Sequence, residues 1–145
     1  MRYFEDLDLG EAVIIGSHAL TADDIISFAT EWDPQPFHID PEFAAKSPMQ
    51  GLFASSAHTY AIAAKLLNQV DPPIAGIASI KHEMELPVPA RPGDILSLKI
   101  RYVDKRLSTS KPDRGLVTME SELFTQTGTV VLRLRSLLMV KRRPT

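Results

Sequence analysis

The sequence predicts an α+β fold in which an antiparallel sheet of about five strands wraps around one long buried helix. Three patterns carry this prediction. The first half repeats apolar residues at helical spacing. Residues 51–68 are apolar or small all round, which marks a helix buried on most sides. The second half alternates with period two, as strands with one buried face do. The 145 residues read as one domain over 1–145, enough chain for a single core.

Each element follows from local chemistry. A strand is expected near residues 11–18. Thr21-Ala22-Asp23-Asp24 then opens a helix: Thr21 caps free backbone N–H groups, and the two aspartates suit the positive helix end. Ile25, Phe28, Ala29 and Trp32 supply its apolar spacing. Pro34 and Pro36 bar Asp33 and Gln35 from helical geometry, so residues 33–38 are expected to form a stiff, extended loop. Asp40-Pro41-Glu42 starts a short helix over 41–46, with Asp40 as cap and Pro41 at its first position. Gly51 to Asn68 forms the longest helix, and Asp71-Pro72-Pro73 ends it. Three apolar strand faces follow: Ile80, His82, Met84 and Leu86; Leu96, Leu98, Ile100 and Tyr102; then Leu132, Leu134, Ser136, Leu138 and Val140. Arg91-Pro92-Gly93-Asp94 turns the chain between the first two, and a further strand covers 115–126.

Composition removes several classes of function. Hydrophobic residues make up 44% and charged residues 23%, ordinary for a globular protein. No stretch approaches the length of a membrane span, and the acidic start Met1-Arg2-Tyr3-Phe4-Glu5-Asp6 is unlike a signal peptide. Without cysteine there are no disulfides, thiolate nucleophiles or cysteine metal sites, and a cytoplasmic location is expected. The net charge of −2 hides an asymmetry. Residues 1–98 carry 5 basic and 14 acidic side chains, and residues 99–145 carry 11 and 4. The basic half reads either as solvated strand faces or as a surface for a phosphorylated ligand. Nucleic acid is disfavoured because the domain as a whole is not basic.

The sharpest local feature is Asp33-Pro34-Gln35-Pro36-Phe37-His38. A carboxylate and an imidazole in one proline-stiffened segment can grip a water, one taking a proton and the other giving one. A surface turn with a capping Asp is the structural alternative. His38-Ile39-Asp40 does not read as a metal site: Asp40 is better explained as a cap, and no third ligand follows. Gly51, at the expected start of the long helix, would offer a backbone N–H at a positive helix end to a carbonyl oxygen gaining charge. It could equally serve only to turn the chain. Among the hydroxyl residues that follow, including Ser55, Ser56 and Thr59, backbone bonding is the expected role. His18 and His82 read as core or interface histidines.

Taken together, several segments resemble the MaoC-like dehydratase family. They are Tyr3-Phe4-Glu5-Asp6-Leu7 with Gly10, Phe28-Ala29, the run from Asp33 to Pro41, Ser47 through Ser55, and Pro89-Ala90-Arg91-Pro92-Gly93-Asp94. The resemblance spans nearly the whole chain. It implies a hotdog fold and the chemistry of (R)-specific enoyl-CoA hydratases, which add water to a trans-2-enoyl thioester to give a (3R)-hydroxyacyl thioester. It implies Asp33 and His38 as the catalytic pair, Gly51 as the donor to the thioester carbonyl, and Gln50 and Thr59 as substrate-binding positions, Thr59 supporting the loop. The chain departs from the best-known hydratases at Gln35-Pro36, where they have Asn-Pro, and at Gln50, where they have His. These departures bear on the substrate.

The resemblance further implies no metal or redox cofactor, with coenzyme A entering as part of the acyl-CoA substrate. Arg91, Lys105, Arg106 and Lys111 are candidates for its phosphates, and an apolar tunnel beside the central helix would take the acyl chain. A homodimer or higher homo-oligomer, joined sheet edge to sheet edge, is the expected assembly. Two rival readings are a hotdog acyl-CoA thioesterase and a non-catalytic acyl-CoA binding subunit. Against the first, residues 51–68 hold no acidic side chain; against the second stands the intact Asp33 and His38 pair.

Overall fold

A computed structural model describes residues 1–145 of the chain. The elements run β1 (Ala12–Ala19), α1 (Ala22–Trp32), α2 (Pro36–Ile39), α3 (Pro41–Lys46), α4 (Ser56–Leu67), β2 (Gly76–Glu85), β3 (Ile95–Leu107), β4 (Arg114–Phe124) and β5 (Val130–Lys141), with a short 3₁₀ turn at Phe4–Asp6 before them. The five strands form one antiparallel sheet in the order β1-β3-β4-β5-β2. The concave face of the sheet packs on α4. Ile62 and Leu66 of the helix join Leu98, Ile100, Leu132 and Val140 of the sheet in a single core cluster. This is the α+β architecture the sequence predicts.

The expected caps are in place. The Asp24 N–H donates to Thr21 Oγ1 at 3.1 Å, and the Glu42 and Phe43 N–H groups donate to Asp40 Oδ1, each at 3.1 Å. Four expectations need correction. Residues 33–38 are not extended throughout. Pro36 drives Gln35 into extended geometry, but its own fixed φ suits the first position of a helical turn, and α2 begins there. The long helix starts at Ser56 rather than Gly51, because Gln50 and Gly51 have φ values of 60° and 150°, and Ser55 caps the helix by accepting from the His58 N–H. Trp32 is exposed, since α1 runs past the core that buries Ile25 and Ala29. The face of β2 that carries Ile80, His82 and Met84 is also exposed in the single chain. β2 is an edge strand paired only with β5, and α4 meets this face through Tyr60 on His82 while Ile80 and Met84 stay exposed.

The outer sheet face resolves part of the charge asymmetry. Glu122 lies between Lys99 and Arg133, and Glu120 between Arg101 and Arg135, with nitrogen–oxygen distances of 2.6–3.7 Å. Cross-strand pairs, rather than a free basic surface, account for these four cations.

Two histidines are packed between β1, α1 and α4. His58 stacks on Phe28 with ring centroids 4.4 Å apart, and His18 Nδ1 lies 3.0 Å from Lys65 Nζ. His58 Nδ1 and His18 Nε2 are buried without a partner. Burial lowers both pKa values from 6.5. Lys65 lowers His18 further and His18 lowers His58 further, while Asp24 opposes both. Below 6.5 the unfolded chain therefore binds protons that the fold refuses. Stability is expected to be level above about pH 7 with respect to these groups and to fall on acidification. Unfolding midpoints between about pH 7.5 and 5.5, a window above most carboxylate titration, should show this slope, and His58→Gln should flatten it.

Candidate active site

Asp33 and His38 are brought together by the end of α1 and the single turn of α2. Asp33 ends α1 with its N–H on the Ala29 carbonyl at 2.8 Å, and its own carbonyl accepts from the Gln35 N–H at 2.8 Å. The helical turn begun at Pro36 then carries His38 inward, where it is 5% exposed. His38 Nε2 stands 3.8 Å from Asp33 Oδ2. That gap is too long for a direct hydrogen bond, and both atoms lie within reach of one water-sized oxygen. The second carboxylate oxygen, Oδ1, is occupied by the Gln35 side-chain amide at 3.0 Å.

The other imidazole nitrogen fixes the ring. His38 Nδ1 lies 2.8 Å from the Phe53 carbonyl, which can only accept, so Nδ1 carries a proton and Nε2 is the nitrogen turned toward Asp33. The Phe53 ring meets the imidazole edge to face at 4.7 Å. Phe53 therefore links the pair to the loop that holds Gly51.

Gly51 lies in that loop, four residues ahead of the Ser55 cap. The helix-end argument therefore does not apply to it. Its N–H donates to no acceptor in the protein, while its carbonyl accepts from Arg91 Nη1 at 2.8 Å. Gln50 is exposed, at the positive-φ position beside it. Thr59 lies on α4. It is buried, and its hydroxyl donates to the Ser55 carbonyl at 3.0 Å. Two of the expected phosphate ligands are also engaged within the chain: Arg91 on the 49–52 loop, and Lys105 on the Phe4 carbonyl and ring.

Sequence reasoning missed Phe53, the Ser55 cap and the use made of Arg91. The Arg91-Pro92-Gly93-Asp94 segment gave the turn alone, which Asp94 closes by accepting from the Arg91 N–H at 2.8 Å.

A cavity of about 350 Å³ runs beside α4, between Tyr60, Ala63, Ala64 and Leu67 of the helix and Ile77 and His82 of β2, with strands β3, β4 and β5 behind. No lining residue is an Asp, Glu, Lys or Arg. Its polar seam is a chain in which Tyr60 Oη lies 3.1 Å from His82 Nε2 and His82 Nδ1 lies 2.8 Å from Ser136 Oγ.

A five-stranded antiparallel sheet wrapped on one helix, with an Asp and a His beside the loop ahead of that helix, defines a hotdog domain. The MaoC like domain family matches residues 9–123, and the chain belongs to it. A MaoC-like dehydratase from Rhodospirillum rubrum superposes with a TM-score of 0.93 at 41% identity, covering 99% of each chain. The uncharacterized protein YdeM of Bacillus subtilis is 30% identical over 95% of this chain and 98% of its own length. A 3-hydroxybutyryl-CoA dehydratase from Methylorubrum extorquens is 28% identical over 70% of this chain and 64% of its own length.

Proposed function

We propose that the protein reversibly hydrates a trans-2-enoyl-CoA to a (3R)-hydroxyacyl-CoA, with Asp33 and His38 as the water-handling pair. The observation that carries this reading is the 3.8 Å gap between Asp33 Oδ2 and a buried His38 Nε2 whose ring is locked by the Phe53 carbonyl. Water oxygen forms its bond to C3 as the alkene π bond opens toward the thioester. One member of the pair takes the water proton, and the pair delivers a proton to C2 as the enolate collapses, so neither residue is consumed. The Gly51 N–H, free of any protein acceptor, stabilises the enolate oxygen. The step needs no redox change.

We assign the acyl chain to the cavity along α4, whose lining includes none of Asp33, His38 and Gly51. Its lining holds no Lys or Arg and is mostly apolar, which favours hydrocarbon chains over those ending in a carboxylate. Two copies join through β2, whose outer edge is unpaired and whose exposed Ile77, Ile80 and Met84 need cover.

The test is loss of enoyl-thioester absorbance with crotonyl-CoA, longer trans-2-enoyl-CoAs and an ω-carboxylated analogue. Expected are hydration of the uncharged chains, weaker use of the carboxylated one, and a dimer mass by light scattering of the same sample. Release of free thiol would instead assign a thioesterase. Saturable binding without turnover across the series would assign a binding subunit.

A further inference from the structure

We propose that Arg91 is a positioning residue that builds the loop carrying Gly51 and, through Phe53, holds His38 in its working tautomer; the kinetic part of this inference rests on the hydratase reading above. The side chain reaches across 40 residues of sequence to a loop that has no regular backbone pairing of its own. Nη1 donates to the Gly51 carbonyl at 2.8 Å and approaches the Leu52 carbonyl at 3.4 Å, while Nη2 donates to the Met49 carbonyl. The guanidinium carbon also sits 5.8 Å from the centre of the Phe53 ring. A single planar fork thus gathers carbonyls on both sides of the Gln50–Gly51 turn, in which Gln50 holds a positive φ that a residue with a side chain adopts only under strain.

The neighbouring backbone reinforces this. The Ala54 N–H donates to the Ala90 carbonyl at 2.9 Å, so both residues that flank the contact, Ala90 and Ala54, are stitched together. Arg91 itself is anchored by its N–H on Asp94. The chain of consequence runs from Asp94 through Arg91 to residues 49–53, and from the Phe53 carbonyl to His38 Nδ1. Loss of the fork releases the turn, and with it the direction of the Gly51 N–H and the acceptor that keeps the proton on Nδ1. Both of its terminal nitrogens are committed to loop carbonyls, which assigns the arginine first to the loop rather than to coenzyme A phosphates.

The experiment compares the parent with Arg91→Ala and Arg91→Lys on crotonyl-CoA and on crotonyl-pantetheine, which lacks the nucleotide phosphates. Expected is a fall in kcat of about 10²-fold for Arg91→Ala, equal on both substrates, with KM changed only a few-fold. Arg91→Lys, which keeps the charge without the fork, should lose less. Nitrogen NMR of labelled histidines should show His38 protonated on Nδ1 in the parent and mixed tautomers in Arg91→Ala. If the alanine variant does not fold, Arg91→Lys carries the same comparisons. A loss confined to the CoA thioester and expressed as raised KM would make Arg91 a phosphate ligand and overturn the inference. So would unchanged kinetics and an unchanged His38 tautomer. If the parent hydrates neither thioester, the hydratase reading fails by itself, and the tautomer measurement still decides the role of Arg91.

Discussion

Asp33→Asn and His38→Ala are each expected to cut kcat for crotonyl-CoA hydration by about 10²–10⁴, the usual worth of a positioned acid or base. KM should change little, because in the proposed mechanism both groups handle the water rather than the thioester carrier. Asn is nearly isosteric with Asp, so its oxygen can still accept from Gln35 while the charge opposite His38 is lost. The double variant is the sharper measurement. If the two groups share one water across their 3.8 Å gap, as proposed, they act as a unit, so removing both should cost little more than removing the more damaging one. Additive losses would mean that each residue serves a different step. Activity retained within a few-fold in both single variants would remove the pair from the chemistry.

The parts of the fold that were legible in the sequence are those fixed by near neighbours. Thr21 and Asp40 announce helix starts because a cap bonds to N–H groups two or three residues on, and both do so here. The alternation of Leu96 to Tyr102 and Leu132 to Val140 states which face is buried, and those residues are buried. Asp33 and His38 were legible because two prolines limit the conformations between them. What stayed hidden depends on distant residues. Nothing near Ile80, His82 and Met84 says that their strand lies at the sheet edge, where this face stays exposed within one chain. Gly51 looks like a helix start until Ser55 is seen to cap α4 and Arg91 to hold the intervening loop. The Gln35 departure from the familiar Asn-Pro pattern also gains a meaning only in three dimensions, where its longer side chain still reaches Asp33.

Gly51→Ala is expected to lower kcat by about 10²–10³ while leaving crotonyl-CoA binding nearly intact, because it perturbs a donor rather than a binding wall. Space is not the obstacle: a Cβ at this position would meet only Arg91 Nη1, at an ordinary 3.5 Å. The backbone is. At a φ of 150° an L side chain is strained, at a cost on the order of 1–3 kcal/mol, and the loop can relieve that strain by rotating the peptide that presents the Gly51 N–H. Arg91 holds the Gly51 carbonyl in the following peptide, so the same residue is strained on one side and clamped on the other, and the loss should be less than additive with that of Arg91→Ala. Equilibrium binding of crotonyl-CoA, measured beside single-turnover hydration, separates the two effects: binding retained with chemistry slowed supports Gly51 as the enolate donor. Undiminished chemistry would shift that role to the next amide, the Leu52 N–H, which also donates to no acceptor in the protein.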